Sequence, residues 1–150
     1  MELDSTAKKS NFVYSLKKFI LEELYDQKGI FPIFDEFLPP DDSVDQWIFI
    51  DFGTLSSNTV LLSFSFMIYC LTRRDYEGDK LHDLVDTVIG VFTDTSTTDT
   101  LKRVPFYDKS TQIQNGSMVV TGCDDGKAGL EAPDKSKFSI LTLTVRMASK

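Results

Sequence analysis

QWIFIDFGTLSSNTVLLSFSFMIYCLTR, residues 46–73, is the stretch on which the fold turns. Gln46 to Leu55 and Asn58 to Arg73 are rich in β-branched and aromatic residues, and Gly53 and Ser56-Ser57-Asn58 lie between them. That composition predicts two strands joined as an antiparallel hairpin. Side chains alternate across a strand, so Leu62, Phe64, Phe66, Ile68 and Cys70 share one face while Leu61, Ser63, Ser65, Met67 and Tyr69 share the other. The first face is core, and the second is half polar.

Upstream, Phe12, Leu16, Phe19, Ile20 and Leu24 recur at intervals of three and four, which predicts a helix from Asn11 to Gln27, capped by Ser10 or Asn11 and ended by Gly29. Ile30 to Leu38 is apolar but contains Pro32 and stops at Pro39-Pro40, so it reads as a short edge strand or extended arm. Downstream, Leu81, Leu84, Val85, Val88, Ile89 and Phe92 form the apolar stripe of a second helix, with Glu77 and Asp79 at the end where the macrodipole favours acids. Burying those side chains is worth roughly 10 kcal/mol before entropy is subtracted.

The rest of the chain is predicted from turn chemistry and alternation. Thr93 to Thr100 is a solvated loop, and Leu101 to Tyr107 is a strand weakened by Pro105. Asn115-Gly116 is the favoured two-residue hairpin turn and would join Thr111–Gln114 to Ser117–Thr121. Gly122 to Lys137 reads as a long mobile loop, and Phe138 to Met147 alternates as a final strand. The expected architecture is a single α+β domain over residues 1–150, with a flexible stretch at 1–10 and two amphipathic helices packed on one face of an antiparallel sheet.

Composition narrows the function. A chain of 150 residues with 41% hydrophobic content buries roughly 70% of its unfolded surface in one core. The net charge of −7 argues against a phosphate-binding surface, which needs a basic patch. Cys70 and Cys123 are too few for a disulfide framework or a zinc site, which fits a reducing compartment. Met1 to Ser10 shows no signal-peptide pattern, and the longest apolar run, Val60 to Leu71, is broken by serines and too short to span a bilayer. Neither secretion nor a membrane partner is expected.

No catalytic constellation emerges. His82 is the single histidine and reads as a helix-surface residue without a nucleophile opposite it. Gly126-Lys127 fails as a phosphate loop, because Thr121 stands where glycine is needed and Ala128 where Ser or Thr is needed. Asp124-Asp125-Gly126 fails as a calcium loop, because Thr121, Cys123 and Ala132 occupy ligand positions. Asn115-Gly116-Ser117 fits the glycosylation triplet only formally. Asp35, Glu36, Asp41, Asp42, Asp45 and Asp51 would supply carboxylates to Mg²⁺, but no lysine occurs from Gln46 to Thr72, so a solvated acidic loop is the simpler reading. Neither a cofactor nor a bound metal is expected.

The order helix, short strand, long hairpin, helix, terminal antiparallel strands resembles the tail terminator, or tail completion, family of long-tailed phages. The matching pieces are the helix Asn11 to Gln27, the segment Ile33-Phe34-Asp35-Glu36-Phe37, the aromatic hairpin Trp47 to Tyr69, the helix Leu81 to Phe92 and the strand Phe138 to Met147. The family has no invariant catalytic motif. The resemblance implies a virion protein assembled in the host cytoplasm that forms a ring, usually hexameric, on the tail tube. It would halt tube growth, meet a head-tail connector protein, and let DNA pass through its lumen without specific binding. An acidic subunit suits that role, since its lumen should repel phosphate.

An unpaired sheet edge adding to a neighbour's sheet would close such a ring. Leu61, Met67 and Tyr69 on the outer face, and Met118, Val119 and Val120 near the second turn, are the candidate interface residues; the alternative assignment of the same side chains is core. The competing functions are a neck or head-to-tail joining adaptor, a small metal-dependent enzyme using Asp35, Glu36, Asp41 and Asp51, and a regulatory binding module.

Overall fold

The computed structural model describes residues 8–34, 43–57, 61–75, 77–93, 102–126, 130–131 and 136–148. The first helix, α1, spans Lys9–Ile20 and continues as a π-helical segment over Leu21–Asp26. Its predicted stripe of Phe12, Leu16, Phe19, Ile20 and Leu24 is buried throughout. The helix begins earlier than its predicted caps. Lys8 is the cap residue and makes no side-chain cap bond, while Asn11 lies inside the helix, where its Oδ1 accepts the Lys109 N–H at 3.0 Å. A tertiary bond has taken the side chain that local capping would have used. Gly29, at φ +70, lets the chain leave the helix as expected.

Seven strands follow among the described residues: β1 Phe31–Phe34, β2 Gln46–Ser57, β3 Leu61–Thr72, β4 Arg103–Tyr107, β5 Gln114–Asp125, the two-residue β6 Leu130–Glu131, and β7 Lys137–Ala148. Their order is β1-β2-β3-β7-β5-β4, with β6 paired to β7. The sheet is mixed and not purely antiparallel, because β1 runs parallel to β2. Residues 35–45 separate the two strands, long enough to return the chain to the same end of the sheet, and that length permits a parallel pair. The hairpin of β2 and β3 is as predicted. Its register shifts between Phe52 and Leu55, and Gly53 sits there because a Cβ would lie 2.5 Å from the Ser65 carbonyl oxygen.

Two predicted features of the C-terminal half are corrected. Asn115-Gly116 is not a hairpin turn. Tyr107 pairs with Gln114 and Pro105 with Ser117, so β5 holds one extra residue there, and Gly116 at φ +94 provides a bulge inside a continuous strand. The reversal falls instead at 108–113, where the Asp108 N–H donates to the Ile113 carbonyl at 3.1 Å. Nor is 122–137 a loop throughout. Gly122 to Asp125 pair with Leu141 to Thr144, and Leu130–Glu131 with Lys137–Phe138, so polar residues sit in strand where β7 offers a ladder. Of the stretch 1–10 expected to be flexible, Lys9 and Ser10 are already helical and 1–7 lie outside the described residues, as does the loop predicted over Thr93 to Thr100 beyond Thr93.

The second helix, α2, spans Asp79–Phe92. Its buried stripe is Leu81, Leu84, Val85, Val88, Val91 and Phe92, while Ile89 is only half-buried. Val91 lies seven residues from Leu84, on the same side of the helix, and completes the buried stripe at the edge opposite Ile89. Both helices pack on one face of the sheet in a single cluster with the inner side chains of β2, β3, β4, β5 and β7, which makes this an α+β domain. The sheet curls round α1. Ser15 bonds to Tyr107 on one edge strand, while Lys17, two residues on, lies 5.4 Å from the Phe34 ring of the other edge strand.

Candidate interaction surface

With the helices on the inner face, the strand register sorts the outer side chains into rows. Phe31, Trp47, Leu71 and Phe138 form the first row, and Ile33, Phe49, Tyr69 and Ile140 the second. Asp51, Met67, Thr142 and Asp124 form the third. Ser65, Thr144 and Gly122 follow, then Ser56, Ser63, Arg146 and Val119. One end of the outer face is therefore apolar and the other polar. That grading is a direct consequence of alternation in long paired strands.

The apolar end is partly covered by its own chain. Trp47, Phe49 and Leu71 are buried in a second cluster with Ile33, Val44, Tyr69 and Phe138. The Arg73 guanidinium lies 4.6 Å from the centre of the Trp47 ring. Tyr69 stacks on Phe138 with ring centres 6.4 Å apart and meets Phe49 edge-on at 5.4 Å, so its ring is held by neighbours while part of it stays accessible. Met67 in the third row is 37% exposed. The predicted pair Met67 and Tyr69 thus stands on the outer face, beside Ile140 and Phe138.

The other predicted interface residues divide. Val119 is half-buried on the outer face. Met118 and Val120 have no exposed surface and belong to the core, where they pair with Val104 and Val145. Because β5 runs through 115–116 without turning, its alternation points them inward. Neither can reach a partner. Leu61 pairs with Ala148 at the end of β3, and its side chain lies outside the described residues.

Both sheet edges are guarded, which bears on the edge-addition route to a ring. On β4 the outward Tyr107 N–H donates to the buried Ser15 Oγ at 2.8 Å, and Pro105 has no N–H to offer. β1 runs for four residues among those described and contains Pro32. Short strands, prolines and a covering helix are the usual devices against strand addition.

The remaining polar groups are largely structural. Asp75, which the sequence reading missed, caps α2. Its carboxylate accepts the Leu81 N–H at 2.9 Å, the Lys80 N–H at 3.2 Å and the Thr72 hydroxyl at 3.1 Å. Desolvation pushes its pKa up, but these bonds to the charged form outweigh it and hold the carboxyl below its ordinary value. The signal was present as an aspartate three residues before Gly78, the left-handed residue at φ +83 that precedes α2. His82 is exposed on α2 as expected. Burial raises the Cys70 thiol far above its ordinary value, and burial with Asp124 and Asp125 nearby raises Cys123 to about 11, so neither favours the thiolate at neutral pH.

Of the proposed metal carboxylates, Asp51 is half-buried in the third outer row, and Asp35, Glu36 and Asp41 lie outside the described residues. Among the described residues no group of three or more His, Cys, Asp or Glu is placed to hold a metal ion. No described helix is long and apolar enough to cross a membrane.

No protein-family model matches the chain, and no curated protein matches it in sequence. A solved structure superimposes with a TM-score of 0.57 over 96% of each chain at 6% sequence identity. Its name carries no function, and likeness at that identity speaks to the fold alone.

Proposed function

We propose that this chain is a phage virion assembly subunit of the tail terminator kind, forming a ring on the end of the tail tube that stops polymerisation and offers a surface for head attachment. The observation that carries the reading is the outer sheet face. Both helices lie on the other side, so a graded surface with Tyr69, Ile140 and Met67 at the border of its apolar rows is left for another protein. The element order supports the same reading. Guarded edges favour joining through faces and turns over strand addition. A net charge of −7 suits a ring that lets DNA through without holding it.

The test is to add the purified protein to growing tail tubes and image them. The expected result is protein at tube ends with elongation arrested, and Tyr69→Asp with Met67→Asp should weaken that capping. Tubes that lengthen unchanged, with no protein at their ends, overturn the reading. Binding to connector rings in place of tubes moves the subunit to the neck.

A further inference from the structure

The charges on the first helix run against its own dipole. A helix N-terminus favours acids and its C-terminus favours bases. Here Lys8 and Lys9 open α1 with no acid in the first turn, whereas Glu22, Glu23 and Asp26 fill the π-helical segment, followed by the single base Lys28 in the last helical residue. Glu22 is partly offset by Lys18 at 3.0 Å. Local helix stability does not account for this placement, and a local rule broken without local gain points to a use elsewhere. The result is an element roughly 25 Å long whose net charge is positive at one end and, even with Lys28 counted, negative at the other.

Each end also displays apolar surface. At the basic end, Ile113 is 66% exposed at the tip of the 108–113 turn. That turn is fixed by the Gln112 N–H bond to the Asp108 carbonyl at 2.7 Å and by the Lys109 N–H bond to the buried Asn11 at 3.0 Å. Ile113 is therefore a pre-ordered knob with Lys109 on the same turn, tied to the start of α1. At the acidic end, Leu21, Tyr25 and Phe31 are 39%, 46% and 41% exposed, and the Tyr25 and Phe31 rings meet edge-on at 6.4 Å.

We propose that copies of this chain join head to tail, the Ile113 and Lys109 turn of one copy seating on the Leu21, Tyr25 and Phe31 patch of the next beside Asp26. The occupant is a second copy because both halves, with opposite charge and matching apolar centres, are on the same chain at opposite ends of one rigid helix. Two different surfaces meet, so the contact is heterologous and repeats into a ring or an open filament. A knob ordered before contact loses little entropy on docking. The proposal deepens the assembly reading and rests on it.

Sedimentation of the whole protein over a dilution series at low salt tests it. The expected result is self-association, weakened about tenfold or more by Ile113→Asp, and weakened also by Asp26→Lys and by Lys109→Glu singly. Asp26→Lys and Lys109→Glu combined in one chain should restore association, since each joint then has its charges exchanged. Salt near 0.5 M, about tenfold above the starting buffer, should weaken the native joint. These residues are exposed, so unchanged melting of each variant shows that folding is intact. A chain that associates identically with Ile113→Asp, or whose double reversal restores nothing, overturns this joint and leaves the assembly reading standing. A chain monomeric at every concentration likewise overturns this joint, whereas the assembly reading falls only when tube ends stay bare.

Discussion

The two helices lie on the same sheet face yet begin in opposite ways. α2 opens with Asp79 in its first turn and has its leading N–H groups bound by Asp75, so charge, cap and macrodipole agree. α1 opens with two lysines, no side-chain cap and acids near its far end. One helix is favoured by its own sequence, and the other persists because the sheet curls round it. The difference teaches where each is vulnerable: α2 at its cap, α1 at its tertiary contacts.

The largest effect expected from breaking that contrast is in α1. Phe12 is fully buried, with ring centres 5.6 Å from Phe64 and 5.0 Å from Phe106. Phe12→Ala should cost about 3–5 kcal/mol in urea unfolding, because it removes the wedge on which the sheet closes. In α2 the corresponding weak point is Asp75, where Asp75→Ala should cost about 1–2 kcal/mol by leaving N–H groups without their acceptor.

The Asp75 contribution carries a pH signature. Its folded pKa is held below the unfolded value, so the stabilisation is present in full above the ordinary carboxylate range and is lost as pH falls through the folded value. Stability of the native protein should therefore decline below about pH 4 more steeply than that of Asp75→Asn, measured by denaturant midpoints across an acid series.

Ser15→Ala ranks next, at about 1 kcal/mol, since it removes the acceptor for the Tyr107 N–H and frees part of the β4 edge. A matching rise in aggregation would show that the hydroxyl guards that edge. The smallest effect has the opposite sign. Lys9→Glu should stabilise the isolated subunit by about 0.3–0.5 kcal/mol, whereas Asp79→Lys should destabilise it by a similar amount. Equal losses from both would mean that the α1 charges support the fold, contrary to the contrast drawn here.

How much of this was legible beforehand follows from the range of the interactions involved. The stripes of Phe12, Leu16 and Leu24 and of Leu81, Leu84 and Val88 were readable because helical period and burial are local properties of sequence. So was the face shared by Leu62, Phe64 and Phe66. Asn115-Gly116 misled, because positive φ serves a bulge as well as a turn, and only the pairing of Tyr107 with Gln114 distinguishes them. That misplaced turn made Met118 and Val120 look available when strand parity sends them inward. On the candidate surface, Met67 and Tyr69 were visible from alternation alone, but the rows that set Tyr69 between Phe49 and Ile140 and Met67 between Asp51 and Thr142 were not.

By itself the sequence determined two amphipathic helices, a long aromatic hairpin and a closing strand, since each depends on the periodic placement of side chains that water expels. Tertiary structure alone decided that β1 runs parallel to β2, that β5 passes through Asn115-Gly116 without reversing, and that Asp75 reaches forward to α2. It also decided that Asn11 and Ser15 spend their polar groups on the far end of the chain, at Lys109 and Tyr107. These features arise from hydrogen bonds and register between segments whose approach no local pattern encodes, and they determine which surfaces remain open.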